Sequence, residues 1–180
     1  INGEDQIGLS AHFVDDGVDT GDIIKQIAIT LDNDDDVGDA LRKLMPCYRR
    51  LTKEVIDFFR SASVPRKAQN LSFGSFFPAR TPEDGYIDWV QSARQISNLV
   101  RAVAHPYPGA FTWFQGEKIY VWKASVVDIT NKPEVPPGSI VGLASGHQPK
   151  IQCGLGILEI KSWTSDKIPS KRFFIGARLS

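Results

Sequence analysis

The residues with the clearest chemical potential lie in one short loop between two apolar, strand-like runs. The run from His12 to Ile24 reads HFVDDGVDTGDII and packs carboxylates around Gly17 and Gly21. Glycine lets a backbone adopt positive φ and approach a ligand closely, and a carboxylate held in such a loop can orient a histidine or carry a proton. The carboxylates are those of Asp15, Asp16, Asp19 and Asp22.

From the residues alone, three uses of this cluster stay open. The side chains could bind a divalent cation, orient a catalytic base, or form Asx turns between the strands. The next acidic run begins at Asp32, but Val37 stands where an EF-hand needs glycine and Lys43 where it needs a bidentate glutamate. We therefore expect no metal site. His12 is expected to be a hydrogen-bonded structural histidine.

A second group of charged residues lies further along the chain. It begins in the run RTPEDGYIDW, which starts at Arg80, and continues in NLVRAVAHPYPGAF, which contains Arg101. The Arg101 guanidinium could meet a phosphate or a carboxylate. An ion pair between Arg101 and Asp84 or Asp88 is the structural alternative.

The two blocks, in this order, resemble the folate-dependent formyltransferases, the family of methionyl-tRNA formyltransferase and the sugar N-formyltransferases. The resemblance implies that Asp19, in the loop GVDTG, holds the position of the family's catalytic aspartate. It also implies that the backbone of Asp15, Asp16, Gly17 and Val18 lines the pocket for the pterin of 10-formyltetrahydrofolate. The formyl donor is then a co-substrate and no metal is needed.

In the resembled family an asparagine and a histidine from an upstream strand end act together with this aspartate. The amide and imidazolium donate hydrogen bonds to the oxyanion that forms when an amine attacks the formyl carbon, and the carboxylate helps remove the amine proton. No Asn-x-His followed by Ser-Leu-Leu-Pro occurs in residues 1–180. We therefore expect this chain to be a fragment of a longer enzyme and to be inactive alone.

The second block is most similar to the formyltransferases that act on UDP-4-amino-4-deoxy-L-arabinose. This implies a nucleotide-linked amino sugar as acceptor, a role in lipopolysaccharide biosynthesis, and substrate binding by Arg80 and Arg101. The 21 basic and 21 acidic side chains cancel, which makes tRNA the less favoured partner. Methionyl-tRNA formyltransferase is the alternative, and a non-catalytic binding or scaffolding module is the second alternative.

Hydrophobic periodicity predicts the elements that must position these residues. Residues 8–14 and 23–31 are predicted as strands on either side of the carboxylate loop. A helix over residues 37–59 follows, because apolar residues recur at spacings of four and three. A second helix begins after a capping box at residues 92–95.

Beyond Ala110 the period becomes two, which predicts a small β-barrel. The expected strands are residues 111–114, 118–125, 140–144, 150–153 and 157–163. The fold class is thus α/β followed by a small barrel: the C-terminal part of a Rossmann-like formyltransferase domain, then an OB-like domain. The predicted domains are 1–62 for the catalytic part, 63–107 for a linker and connecting helix, and 108–180 for the barrel.

Bulk properties agree with a globular protein of 180 residues. No apolar run approaches the roughly 20 residues that span a bilayer, and the start lacks the regions of a signal peptide. Cys47 and Cys153 are expected to be buried thiols in a reducing compartment. We therefore expect a cytoplasmic protein with no membrane partner, and a homodimer is among the expected assemblies.

Overall fold

The computed structural model describes residues 1–130, 132–165 and 173–180. They form two compact units. The hairpin unit comprises Glu4–Asp35 and Asp39–Ala79, and the sheet unit comprises Ile1–Gly3, Asp36–Gly38 and Arg80–Ser180. The predicted domain boundaries after residues 62 and 107 do not coincide with these units, and the predicted domains stay a prediction.

The hairpin unit is built on two antiparallel strands that confirm the predicted pair. Strands β1 (Gln6–His12) and β2 (Ile23–Thr30) pair with Leu9 opposite Ile27, and the register shifts between Ala11 and His12. Ile27 is buried, and alternate residues along β1 are more exposed, as expected for a strand with one covered face. The register shift lies directly before His12, the last residue of β1.

Helix α1 (Val37–Arg60) confirms the predicted helix over residues 37–59. The acidic run before it forms a turn that Lys43 bridges: Lys43 Nζ lies 2.7 Å from Asp32 Oδ2 and also contacts Asp35. The hydrogen bonds that Lys43 donates to these two carboxylates raise the pKa of its ammonium group. The lysine that argued against an EF-hand in the sequence is thus the partner of these carboxylates.

The segment after α1 belongs to the hairpin unit, although the sequence predicted a linker there. Ile23 and Lys67 exchange both backbone hydrogen bonds, with N···O distances of 2.8 and 3.0 Å. Residues near position 67 therefore extend the edge of β2. Low periodicity did not indicate this, because a single bridge needs no repeating pattern.

The sheet unit begins with a short 3-10 turn, Pro82–Gly85, and helix α2 (Ala93–Ala102). The predicted capping box is confirmed: the Ser92 hydroxyl accepts from Gln95 N, and the Gln95 side chain accepts from Ser92 N at 3.0 Å. Ile96 and Val100 point into the core, so the predicted apolar stripe is the buried face of this helix.

Five antiparallel strands confirm the predicted strand set: β3 (Ala110–Phe114), β4 (Glu117–Asp128), β5 (Ile140–Leu143), β6 (Pro149–Gln152) and β7 (Ile157–Thr164). They pair in the order β3-β4-β7-β6-β5. Because β5, β6 and β7 are neighbours and β4 lies beside β7, the topology is a Greek key.

The C-terminal residues hydrogen-bond to both edges of this sheet. Beside β5, Gly176 N donates to Ile140 O and Leu179 N donates to Gly138 O, each at 2.9 Å. Beside β3, Ser180 and Trp113 exchange both backbone bonds at 2.9 and 2.7 Å. Gly138 has φ +91°, and a Cβ there would lie 2.4 Å from Leu179 O, so glycine is required at this approach.

The sheet unit holds one hydrophobic core between the sheet and α2. Fully buried isoleucine, leucine and valine side chains each contribute about 1.5–3 kcal/mol through burial. The most buried members are Ile87, Val100, Ile119, Val121, Ile140, Ile151, Leu158 and Ile160. The core therefore keeps the sheet and α2 in a fixed arrangement.

Candidate functional site

The carboxylate loop is closed at its base by one backbone hydrogen bond, from Phe13 N to Asp22 O at 2.9 Å. Gly21 makes this closure possible, since a Cβ at that position would lie 1.8 Å from Phe13 O. Residues 14–21 are therefore held as one compact loop at the end of the hairpin.

Asp15 stabilises the loop through hydrogen bonds to other loop residues. Its Oδ1 accepts hydrogen bonds from Gly17 N at 3.2 Å and from Thr20 Oγ1 at 2.6 Å. This is the Asx-turn chemistry that the sequence left open. Asp16 is exposed, and the Val18 side chain is 78% exposed.

Asp19 is the carboxylate that the loop presents outward. Its backbone has φ 56°, in the left-handed region that aspartate tolerates better than most residues. The side chain is 87% exposed, and its Oδ1 lies 3.5 Å from Nε2 of His12. The loop therefore offers this carboxylate to solvent and to one imidazole.

His12 is held by its other ring nitrogen. Nδ1 lies 2.8 Å from Phe13 O, which can only accept, so Nδ1 carries a proton. The predicted hydrogen bond of this histidine is confirmed, but its proximity to Asp19 was missed. The signal was weak, because the approach depends on the register shift in β1 and on the positive φ of Asp19.

Two further residues fasten the loop and were also missed. Gln69 Nε2 donates to Asp19 O at 2.9 Å and to Gly21 O at 2.6 Å. Arg66 Nε lies 3.2 Å from Asp22 Oδ2, and its guanidinium lies 4.0 Å from the centre of the Phe13 ring. These partners come from the segment that the sequence predicted as a linker.

The second predicted group lies in the sheet unit, at a cavity of about 480 Å³. Arg80 lines this cavity, and Arg101 donates to the cavity-lining Asn98 at 3.1 Å. The other lining side chains include Asp84, Tyr86, Asp88, Gln91 and Gln95.

Two carboxylates at this cavity are engaged by nearby N–H groups. Asp84 accepts from Thr81 N at 2.6 Å, and Asp88 accepts from Val90 N at 3.0 Å. In the same turn, hydrogen bonds from its own backbone N–H and from the Thr81 hydroxyl lower the pKa of Glu83. The turn after Arg80 is thus fixed by its own carboxylates.

Other chemistries find little support in the described residues. Among them, no three histidine, cysteine or acidic side chains converge as a metal site would require. Burial raises the pKa of the Cys153 thiol to about 12, so it is no nucleophile. Cys47 is half-buried rather than buried, which corrects its predicted environment. None of the helices that the structure describes has the length and apolar character needed to cross a bilayer.

Known proteins match both units. The family model for the formyl transferase C-terminal domain matches residues 80–178, and the formyl transferase model matches residues 1–56. A methionyl-tRNA formyltransferase from Caldanaerobacter subterraneus subsp. tengcongensis is 32% identical over 179 residues, which cover 98% of this chain. The chain spans only 56% of that relative's length.

Solved structures share the fold. An N-formyltransferase from Helicobacter canadensis, in complex with folinic acid and dTDP-3-aminofucose, has a TM-score of 0.67 at 19% identity and covers 88% of this chain and 56% of its own. HypX from Aquifex aeolicus in complex with tetrahydrofolic acid has a TM-score of 0.65 at 18% identity, covering 94% and 30%. With a family model matching more than half of its residues, the chain belongs to the formyl transferase family.

Proposed function

We propose that the full-length protein containing this chain transfers a formyl group from 10-formyltetrahydrofolate to a primary amine. One observation carries the proposal: in a chain of this family, the loop presents Asp19 outward, at positive φ, beside His12. A carboxylate in this position has the chemistry of a proton acceptor.

The loop suits a flat, partly apolar co-substrate. Val14 and Val18 are 93% and 78% exposed, so two apolar side chains flank the outward carboxylate. The backbone of residues 15–18 would hold the pterin, and bound 10-formyltetrahydrofolate supplies the formyl group. The tetrahydrofolic acid and folinic acid bound in the two solved structures support this choice.

Asp19 would act on the acceptor amine. As the amine nitrogen bonds to the formyl carbon and the bond from that carbon to the donor nitrogen breaks, the amine proton passes to the Asp19 carboxylate, directly or through water. The donor nitrogen takes up a proton in exchange. Because residues 1–180 lack the family's Asn-x-His motif, we expect the 180-residue chain alone to be inactive.

For the acceptor we propose a nucleotide-linked amino sugar. The neutral charge balance and the dTDP-sugar in the Helicobacter canadensis structure support it. Arg80 would meet a phosphate at the cavity of the sheet unit, with Arg101 holding Asn98 beside it. Methionyl-tRNA is the second candidate, which the 32% identical relative supports.

We also propose that the sheet unit closes into the OB-like barrel expected from the sequence. The backbone hydrogen bonds of residues 176–180 to the β3 and β5 sides support closure, because they join the two sheet edges. The Greek-key strand order agrees with such a barrel.

The test is formyl transfer by the purified full-length protein. 10-Formyltetrahydrofolate is supplied with UDP- and dTDP-linked 4-amino sugars, and separately with methionyl-tRNA. Transfer to a nucleotide sugar is the expected result. Transfer only to methionyl-tRNA would keep the reaction and replace the acceptor, and steep salt dependence of acceptor binding would accompany it. Absence of transfer and of folate binding would instead favour the non-catalytic binding module.

A further inference from the structure

We propose that His12 is a positioning residue that acts through Asp19, by sharing the proton that the Asp19 carboxylate accepts; this inference rests on the proposed formyl transfer. His12 ends β1 at the register shift, and its Nδ1 is bonded to Phe13 O at 2.8 Å. The strand and this bond together fix the ring, whose side chain is only 26% exposed. The opposite nitrogen, Nε2, faces Asp19 Oδ1 at 3.5 Å.

Two other carboxylates of the loop have partners of their own, and Asp16 is exposed. Asp15 accepts from Gly17 N and Thr20 Oγ1, and Asp22 pairs with Arg66. Within the part of the chain that the structure describes, His12 is the only side chain with a nitrogen near the Asp19 carboxylate. Gln69 holds Asp19 only through its backbone oxygen. His12 is therefore the side chain placed to share a proton with this carboxylate.

The tautomer of His12 makes this contact sensitive to proton transfer. Because Nδ1 must carry a proton for its bond to Phe13 O, Nε2 carries one only in the imidazolium. In the neutral ring a bare nitrogen faces a carboxylate. When Asp19 accepts a proton, that proton can lie between the two groups, as a carboxylic acid donating to Nε2 or as an imidazolium donating to the carboxylate. The pair thus accepts one proton and gains a hydrogen bond.

Two substitutions separate the two bonds of His12. In His12→Gln the side-chain amide reaches the place of Nε2 and can hydrogen-bond to Asp19, as donor to the carboxylate or as acceptor from the carboxylic acid. In His12→Asn the amide reaches only the place of Nδ1 and can still donate to Phe13 O. In the full-length protein we expect His12→Asn to lower kcat at least about tenfold, and His12→Gln to stay within about threefold of wild type. KM for the formyl donor should change little in both.

The matched control is His147→Asn, in a turn of the sheet unit. His147 is exposed and has φ 66°, which asparagine tolerates, so kcat should be unchanged. His12→Asn added to Asp19→Asn should give no further loss beyond Asp19→Asn, because the two act as a unit. Equal kcat in wild type and His12→Asn, equal losses in the Asn and Gln variants, or additive losses in the double variant would each overturn the inference.

A second readout does not depend on catalysis. In the long-range ¹H–¹⁵N spectrum of the full-length protein without ligand, the His12 resonances are identified by their loss in His12→Asn. Asp19→Asn should move the Nε2 resonance of His12 and leave His147 in place. An unmoved resonance would overturn the inference even if formyl transfer is confirmed. A wild-type protein that transfers no formyl group would instead contradict only the proposed function.

Discussion

At the scale of single residues, the loop divides its carboxylates between structure and chemistry. Asp15 and Asp22 are bonded to neighbouring groups, so their oxygens shape the loop. Asp19 faces solvent with one imidazole beside it. Sequence spacing alone could not make this distinction, because all the carboxylates lie within eight residues of one another.

Asp19→Asn in the full-length protein should lower turnover at least about a hundredfold, because the amide cannot accept the amine proton. The fold should stay intact, since the side chain is exposed. Single-turnover formyl transfer measures the effect, and Asp34→Asn, at another exposed loop aspartate, is the control. Near-normal turnover of Asp19→Asn would remove this residue from the reaction.

Glu83 should give the sheet unit a pH-dependent stability. Its folded pKa lies below the ordinary value of 4.5, so its contribution is present above that pH and is lost as the pH falls through the lowered pKa. Glu83→Gln should therefore lower Tm near about pH 6, and the difference from wild type should shrink toward about pH 3. The exposed Glu134→Gln serves as control. A difference that does not change with pH would contradict this role.

At the scale of elements, the hairpin holds its loop by a close backbone approach rather than by a packed core. Gly21 lies close to Phe13 O, and Gln69 Nε2 donates a hydrogen bond to Gly21 O. These contacts leave no room for a side chain at the loop base. The loop shape is therefore set by a few polar contacts, each of which one substitution can remove.

Gly21→Ala should disturb the loop strongly, because its Cβ would lie 1.8 Å from Phe13 O and the Phe13–Asp22 bond must open. We expect loss of folate binding and faster amide exchange at residues 13–22. Gly142→Ala is a matched control, since its nearest contact would be the flexible Lys150 side chain at 3.8 Å. Equal behaviour of the two variants in hydrogen exchange would rule out this account of the loop.

The elements were predictable from the sequence, but the contacts that fasten the loop were not. Among the described residues, periodicity located helices α1 and α2 and strands β1 to β7, because burial of one face repeats along each element. Gln69 and Arg66 lie 50 and 44 residues from Asp19 and Asp22 along the chain. No local pattern encodes such a pairing. The contact between His12 and Asp19 could not be predicted either, because it depends on an irregular strand register.

At the scale of the whole molecule, the two units differ in how much apolar surface they bury. The core cluster lies entirely within residues 87–179. The hairpin unit buries few apolar side chains, and several on α1 are exposed: Leu41, Met45, Tyr48, Ile56 and Phe59. Burial is the main favourable term in folding, so the two units should differ in independent stability.

We therefore expect residues 80–180 to fold alone and residues 4–79 not to. The first segment should show a cooperative thermal transition and a dispersed ¹H–¹⁵N spectrum, and the second should show neither. The intact 180-residue chain is the reference for both. A cooperative transition in residues 4–79 would contradict this expectation, because it would show that the few apolar side chains buried in the hairpin unit are enough for a stable core.

The hydrogen bonds of residues 176–180 also bear on how copies of this protein behave at high concentration. An open strand edge is a template for pairing with another chain, and these residues occupy backbone groups beside both β3 and β5. Removing them would uncover two edges at once on the same molecule. Each copy could then pair with one neighbour at its β3 edge and with another at its β5 edge, so that copies could add in a line. Residues 176–180 thus occupy edge groups that another chain could otherwise pair with.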